Sequence, residues 1–160
     1  MAYNKPIPLH RGDYLTTGLT YDETKAYGNE NAGVNLMLEV VKTGVNAGKA
    51  RLAADGGKIL GEFISLRRNL KATVGTHAEL LLVRGAQNAF TIGEGIVGAG
   101  SGKCKSPALP ALDPATAGSP TDAELATYSA AIIEYANAQG SVVEILTNAS
   151  GESTALVRFP

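Results

Sequence analysis

Residues 79–97 read ELLLVRGAQNAFTIGEGIV, which is three short apolar runs separated by glycine-containing turns. Short apolar runs bounded by such turns are typical of strands in an antiparallel sandwich or barrel. The same pattern continues on both sides of this stretch. We therefore predict strands over residues 36–41, 58–65, 72–74, 79–84, 89–92 and 95–97.

The content of glycine and proline supports this interpretation. Together they make up 26 of the 160 residues, about 16% against a usual ~12%. A chain that turns this often disfavours long helices. We predict a mainly β fold: a small antiparallel β-barrel or sandwich with one short helix and an extended N-terminal arm. The run at residues 36–41 also fits one or two helical turns, because periodicity alone does not assign so short a run.

The short helix is predicted at residues 120–128. Ser119 suits the N-cap and Pro120 suits the first helical position. Asp122 and Glu124 place carboxylates in the first turn, where the helix dipole favours them.

A closing hairpin is predicted after this helix. The apolar runs at residues 131–135 and 141–147 flank the sequence Asn-Ala-Gln-Gly at 137–140, which has the composition of a turn. Such a hairpin seals the edge of a sheet or barrel.

The first 33 residues differ from the rest and are predicted to form an extended arm. Alternate prolines fix φ and remove backbone donors, and tyrosines supply large amphipathic anchors. Such anchors indicate that the arm binds a partner. The alternative is that it wraps around its own domain, as terminal segments often do. Residues 34–160 are predicted to form the β-rich domain, with a proline-rich loop at 106–120. The candidate partner-binding residues of the arm are Tyr3, Pro6, Pro8, Tyr14, Tyr21 and Tyr27.

The net charge, the apolar runs and the single cysteine make several classes of partner and site unexpected. A formal net charge of −1 lacks the general attraction that drives binding to a phosphate backbone, so nucleic acid is not expected as a partner. No apolar stretch approaches the ~18 residues of a membrane span, and the N-terminus does not resemble a secretory leader. Cys104 alone forms neither a disulfide framework nor a cysteine zinc cluster, and it is expected to be a small buried side chain.

Each sequence motif that suggests catalysis or ligand binding lacks a part that this chemistry needs. Residues 93–98 match G-x-G-x-x-G, but the glycines that follow disfavour the helix that a dinucleotide site needs. Gly102-Lys103 ends like a P-loop, yet Cys104 stands where serine or threonine would hold magnesium. His10 and His77 have no ligand or catalytic spacing around them. We therefore predict no enzyme activity, no metal and no cofactor.

The order of the glycine turns and strands carries a family resemblance. Over about residues 48–146 the chain resembles the small capsid decoration, or cement, proteins of tailed bacteriophages. The stretches that carry the resemblance are GK (48–49), LAADG (52–56), ILG (59–61), FTIGEGIV (90–97), GK (102–103) and VVEIL (142–146).

The resemblance implies a structural virion protein on the outer surface of the capsid, made in the host cytoplasm. Its partners would be the major capsid protein, whose subunits it bridges, and further copies of itself, as homotrimers or similar clusters. The arm would then bind the capsid by strand addition and tyrosine burial. The alternatives are another virion subunit of the head–tail junction or the tail, and a ligand-binding module that uses residues 93–103.

Overall fold

The structure, a computed structural model, describes residues 19–20, 36–45, 47–66, 71–75, 80–111, 119–147 and 151–159. Ten strands and one helix lie among them, which confirms the prediction of a mainly β chain. In chain order the elements are β1 (Leu19–Thr20), β2 (Met37–Val40), β3 (Ala50–Leu52), β4 (Gly61–Leu66), β5 (Lys71–Gly75), β6 (Leu80–Gly85), β7 (Val97–Gly98), β8 (Cys104–Lys105), α1 (Asp122–Asn137), β9 (Ser141–Thr147) and β10 (Ser153–Arg158).

The first sheet is antiparallel and has the strand order β1-β5-β4-β2-β3. Side chains on a strand alternate between the two faces of the sheet, and β2 uses both faces. Met37 and Leu38 are each fully buried, but they belong to different apolar clusters. The first sheet therefore contributes to two cores, one on each side of β2.

The second sheet is antiparallel with the order β6-β10-β9, so β10 lies at its centre. Ala155 and Val157 of β10 point inward opposite Val83 and Leu81 of β6, and all four are buried. A register shift between Leu156 and Val157 alters the pairing with β9. This inner face forms much of the larger core.

A short hairpin of β7 and β8 completes that core. Cys104 of this hairpin and Ile96 just before it belong to the larger core, and Val97 is also fully buried. The larger core contains Met37, Ala53, Ile59, Leu81, Val83, Phe90, Ile96, Cys104, Val142, Ala155 and Val157.

Most of the predicted strands are confirmed, with shifts at their ends. The predictions at 36–41, 58–65, 72–74, 79–84, 95–97 and 141–147 correspond to β2, β4, β5, β6, β7 and β9. The predicted strand at 89–92 is wrong, because residues 89–91 are irregular backbone between two turns, from which Phe90 reaches the core. The strands β3, β8 and β10 were not predicted. The described strands form three small antiparallel sheets and do not close into a barrel.

The helix differs most from its prediction, because α1 runs for 16 residues where nine were expected. It starts after Thr121, not Ser119: Thr121 and Glu124 form a capping box, in which each side chain satisfies the other's backbone N–H. The predicted strand at 131–135 and the closing hairpin are therefore wrong. Five alanines favour the helix and outweigh the β-branched pair Ile132-Ile133. In the proline-rich loop, the described residues 106–111 and 119–120 form neither helix nor strand, as predicted.

Gly98 packs so closely against the turn after β3 that a larger residue does not fit. A Cβ at position 98 would overlap the carbonyl oxygen of Ala54, while the Gly98 N–H donates to the Gly57 carbonyl and the Gly56 N–H donates to the Gly98 carbonyl. The hairpin and the turn are thus joined through their backbones.

We expect Gly98→Ala to lower the free energy of unfolding by about 2–3 kcal/mol, because backbone must move to relieve the overlap. The matched control is Gly100→Ala in the same hairpin, where nothing lies within 4 Å but φ is +86°. That substitution should lower the free energy of unfolding by only about 1 kcal/mol, the cost of an L-residue at positive φ. Urea denaturation of the two variants measures both values, and equal losses would contradict this account of Gly98.

Candidate functional site

The six arm residues predicted to bind a partner, Tyr3, Pro6, Pro8, Tyr14, Tyr21 and Tyr27, all lie outside the described residues. Of the predicted arm, the structure describes only β1. That strand pairs antiparallel with β5, with Leu19 opposite Ala72, and it lies at an edge of the first sheet. These two residues are extended and dock on the chain's own sheet, and the arm as a whole stays a prediction.

The glycine-rich segment 93–103 is part of the framework of the domain. A phosphate site needs backbone N–H groups that point at the ligand. In this segment seven N–H groups instead donate to carbonyl oxygens of the chain, and no helix follows Gly98 within the described residues 99–111. The seven donors are Gly93, Glu94, Ile96, Gly98, Ala99, Gly102 and Lys103.

A polar pocket lies near the end of α1, with a cavity volume of about 280 Å³. Its lining includes Glu39, Arg51, Asp55 and Lys58. Ligand pockets usually enclose about 300–1,000 Å³ and are mostly apolar, so this one is small and unusually polar. The carboxylate of Glu39 is also already bound, because Arg51 Nε donates to its Oε1 at 2.6 Å.

The histidine and cysteine side chains offer no catalytic or metal site among the described residues. His10 and His77 lie outside the described residues. Cys104 is fully buried, which confirms the expected small buried side chain, and this burial raises the pKa of its thiol because the thiolate is poorly solvated there. Among the described residues no three side chains of the metal-binding types are grouped to hold an ion. In the same part of the chain, no helix has the length and apolar character to cross a bilayer.

The side of α1 that faces the domain is largely polar. Five half-buried residues follow one another at helical spacing and form what we call the inner stripe of α1. None of the helix residues is fully buried. The inner stripe consists of Glu124, Tyr128, Ala131, Glu134 and Asn137.

The opposite side of α1 is apolar and exposed. Six exposed, uncharged residues form what we call the outer face of α1, and the exposed Asp122 lies on the same side in the first turn. Among them Leu125 is 42% exposed, Ile132 43% and Ile133 63%. Full burial of each such side chain stabilises a protein by about 1.5–3 kcal/mol. Leaving these three side chains exposed therefore gives up several kcal/mol of folding free energy. The outer face consists of Leu125, Ala126, Ser129, Ile132, Ile133 and Ala136.

Polar contacts near the C-terminal end of α1 fix this orientation. Lys105 Nζ binds Glu134 Oε1 at 3.0 Å and Asp55 Oδ1 at 2.8 Å, and these partners raise the pKa of Lys105, with Asp55 the larger cause. Asn137 Nδ2 donates to the carbonyl oxygen of Gly56 at 2.9 Å. After the helix, Gln139 and Ile96 exchange two backbone hydrogen bonds. The helix is therefore held by its polar side, and its apolar side points away from the domain.

The sequence contains a local signal for this surface. Leu125, Ser129, Ile132 and Ala136 recur at spacings of four, three and four, which marks one helical face. That pattern normally predicts the face turned toward the core. The polar contacts of Glu134 and Asn137 reverse this expectation, and they are tertiary contacts that no local pattern reveals.

Comparisons with known proteins give no relative for this fold or site. No protein-family model, curated protein or solved structure matches the chain.

Glu152 joins three parts of the domain away from α1. Its carboxylate accepts hydrogen bonds from Lys103 Nζ at 2.8 Å and from Arg84 Nη2 at 2.6 Å. Both cations lower the pKa of Glu152 from 4.5 to about 2, with Lys103 the larger cause. The pair of contacts links the end of β6, the turn before β8 and the start of β10.

The lowered pKa predicts a contribution to stability that depends on pH. A carboxyl group with a lower pKa in the folded state stabilises the protein above its ordinary pKa of 4.5, and this stabilisation is lost as the pH falls to about 2. Wild type should therefore be more stable than Glu152→Gln at pH 7, with the difference shrinking below pH 4.5 and gone below about 2.

Thermal unfolding from pH 7 to pH 2 measures this difference. Glu144→Gln, which changes an exposed carboxylate on β9, serves as the matched control and should show a smaller dependence on pH. A Glu152→Gln difference that stays constant across the range would contradict the ion-pair account.

Proposed function

We propose that this chain is a non-enzymatic structural protein of a tailed-bacteriophage virion, a decoration protein that binds the outer surface of the capsid. It stabilises the shell by bridging major capsid protein subunits and acts as a homotrimer. It is made in the host cytoplasm and takes its place on the assembled head.

The observation that carries this proposal is the outer face of α1. Contiguous exposed apolar surface is rare on soluble monomers and marks interaction sites. A helix that is held by its polar side and presents apolar side chains outward suits a subunit that works by assembly. The order of glycine turns and strands across residues 48–146 supports the choice of capsid decoration among assembling proteins.

The position of β1 supports a role for the N-terminal segment in capsid binding. An extended segment that already pairs at a sheet edge can pair in the same way with a partner strand. Ordering such a segment costs about 1–2 kcal/mol of backbone entropy per residue, so side-chain anchors must offset that loss. Repetition over the lattice then strengthens individually weak contacts. In this proposal the anchors are Tyr3, Pro6, Pro8, Tyr14, Tyr21 and Tyr27.

The finer architecture is part of the proposal. We favour a sandwich-like arrangement over a barrel, in which the second sheet packs against the β7–β8 hairpin and β2. The support is the larger core, which contains Met37 of β2 together with Val83 of β6 and Val157 of β10.

We expect removal of residues 1–18 to weaken binding to empty capsids at least tenfold. This truncation leaves β1 in place but removes Tyr3 and Tyr14, and buried tyrosines often contribute 1 kcal/mol or more each to an interface. Cosedimentation with undecorated capsids of the cognate major capsid protein measures the affinity.

Two controls make the result specific. The truncated chain should keep its wild-type unfolding midpoint, and Val45→Ala, which removes an almost fully exposed side chain outside the arm, should bind like wild type. Undiminished binding by the truncated chain would refute the arm's role. Failure of wild type to bind any such capsid would refute the proposed function itself.

A further inference from the structure

We propose that the polar pocket near the end of α1 binds a small oxyanion with two negative charges, such as a phosphate monoester or a dicarboxylate. Arg51 contacts the oxygen atoms of the ligand, and Lys42 and Lys58 supply further positive charge from the same lining. The inference goes beyond the proposed function and does not depend on capsid binding.

The pocket lies where the first sheet, the turn after β3 and the end of α1 meet. Glu39 on β2 and Arg51 on β3 are directly opposite each other in the sheet, and both line the pocket. The turn at residues 54–58 and the side of Asn137 complete much of the lining. Elements that are distant in the sequence therefore bring several charged side chains to one recess.

Glu39 fixes the position of the Arg51 guanidinium group. The Glu39 side chain is only 8% exposed, and its Oε1 accepts a hydrogen bond from Arg51 Nε at 2.6 Å. Its other oxygen, Oε2, lies so close to Gly57 that a Cβ at position 57 would overlap it. The buried carboxylate therefore orients the guanidinium group, and Glu39 acts as a positioning residue.

Arg51 keeps hydrogen-bond donors that the domain does not use. A guanidinium group presents its N–H donors in a planar fork, which matches two oxygens of a carboxylate or phosphate group. Within the described part of the chain, the side chain of Arg51 makes its hydrogen bond through Nε alone. The donors of both Nη groups remain, on a side chain that is 43% exposed and lines the pocket. This pairing of a fixed Nε with free Nη groups suits the binding of an oxyanion.

The charges of the lining that remain unpaired are positive. Lys42 and Lys58 are exposed, and neither forms an ion pair with a described residue. Of the two carboxylates in the lining, Glu39 is paired as described above, and Asp55 binds Lys105 at 2.8 Å. In a chain with a net charge of −1, the pocket is thus a local concentration of positive charge that attracts anions. Two lysines beside a guanidinium group favour an anion with two charges over one with a single charge.

The volume of the pocket favours a free small molecule. At about 280 Å³ it lies just below the usual range of ligand pockets, so it is too small for a nucleotide. The same volume holds about nine water molecules at ~30 Å³ each, which is more than one acidic side chain of a partner protein fills. A phosphate monoester or a short dicarboxylate lies between these two sizes.

The test is titration of the full-length chain with inorganic phosphate, glycerol phosphate and succinate, followed by NMR of the backbone amides. We expect saturable shifts of the signals of residues 56–58, which line the pocket. For inorganic phosphate the dissociation constant should be on the order of 1 mM, which is within reach of so small a ligand. Sodium chloride at equal ionic strength and uncharged glycerol should give no saturable shift of these signals.

Two variants assign the binding to the pocket. Arg51→Lys keeps a positive charge beside Glu39 but removes the planar fork, and it should weaken phosphate binding about tenfold, as expected for one lost charge-assisted hydrogen bond. The double variant Lys42→Gln/Lys58→Gln should weaken it by about the same factor, and because both lysines are exposed it should keep the wild-type unfolding midpoint. The matched controls are Arg158→Lys and Arg158→Gln, which make the same kinds of change at an exposed position of β10 outside the pocket and should bind phosphate like wild type.

Several results would overturn the inference. They are the absence of saturable binding for all three anions, shifts that follow ionic strength alone, and phosphate binding that the double lysine variant leaves unchanged. Loss of capsid binding by that variant, with no response of wild type to the free anions, would assign the pocket to acidic side chains of the capsid and would also overturn it. Phosphate binding by a chain that binds no capsid would support this inference and refute the proposed function.

Discussion

The attachment of α1 by its polar side is the constraint on which the external surface of this protein depends. Lys105 and Glu134 are partly exposed and Asp55 is mostly exposed, so their ion pairs contribute on the order of 1 kcal/mol or less each and orient the helix more than they secure it. The backbone exchange between Ile96 and Gln139 and the hydrogen bond from Asn137 to Gly56 provide the firmer hold. Because every one of these contacts is polar, the apolar residues of the helix are left facing solvent.

That attachment depends on the close packing and the backbone hydrogen bonds of the glycine-rich segment. Gly98 lies against the turn after β3, and the backbone of this turn carries Gly56, which accepts the hydrogen bond from Asn137. Residues 93–98 of this segment match the G-x-G-x-x-G sequence of a nucleotide-binding loop. The backbone N–H groups of the segment, however, donate hydrogen bonds to carbonyl oxygens of the domain itself. The glycines therefore serve close packing between β7, the turn and the end of α1. In the proposed function, these glycines position α1 and therefore its outer face.

The sequence predicted elements whose signals are local. Short apolar runs between glycine turns identified β2, β4, β5, β6 and β9, and acidic residues correctly marked the first turn of a helix. It missed β10, although this strand pairs antiparallel with β9 and only the residues NASGE (148–152) separate the two in the sequence. Its pairing with β6, across about 70 residues, has no such local signal. The sequence predicts too short a helix, because the β-branched pair Ile132-Ile133 also suits a strand. The direction of its apolar face was not predictable, since local periodicity gives a face and only tertiary contacts say which way it points.

The most direct test of the account is electron cryomicroscopy of intact phage particles that carry this chain. The account predicts density for the protein on the outer surface of the head, in clusters of three copies, with the apolar side of α1 covered by a neighbouring subunit. Density at the neck or tail would contradict capsid decoration. Density on the head in which the apolar side of α1 faces solvent would contradict the role given to that side in assembly.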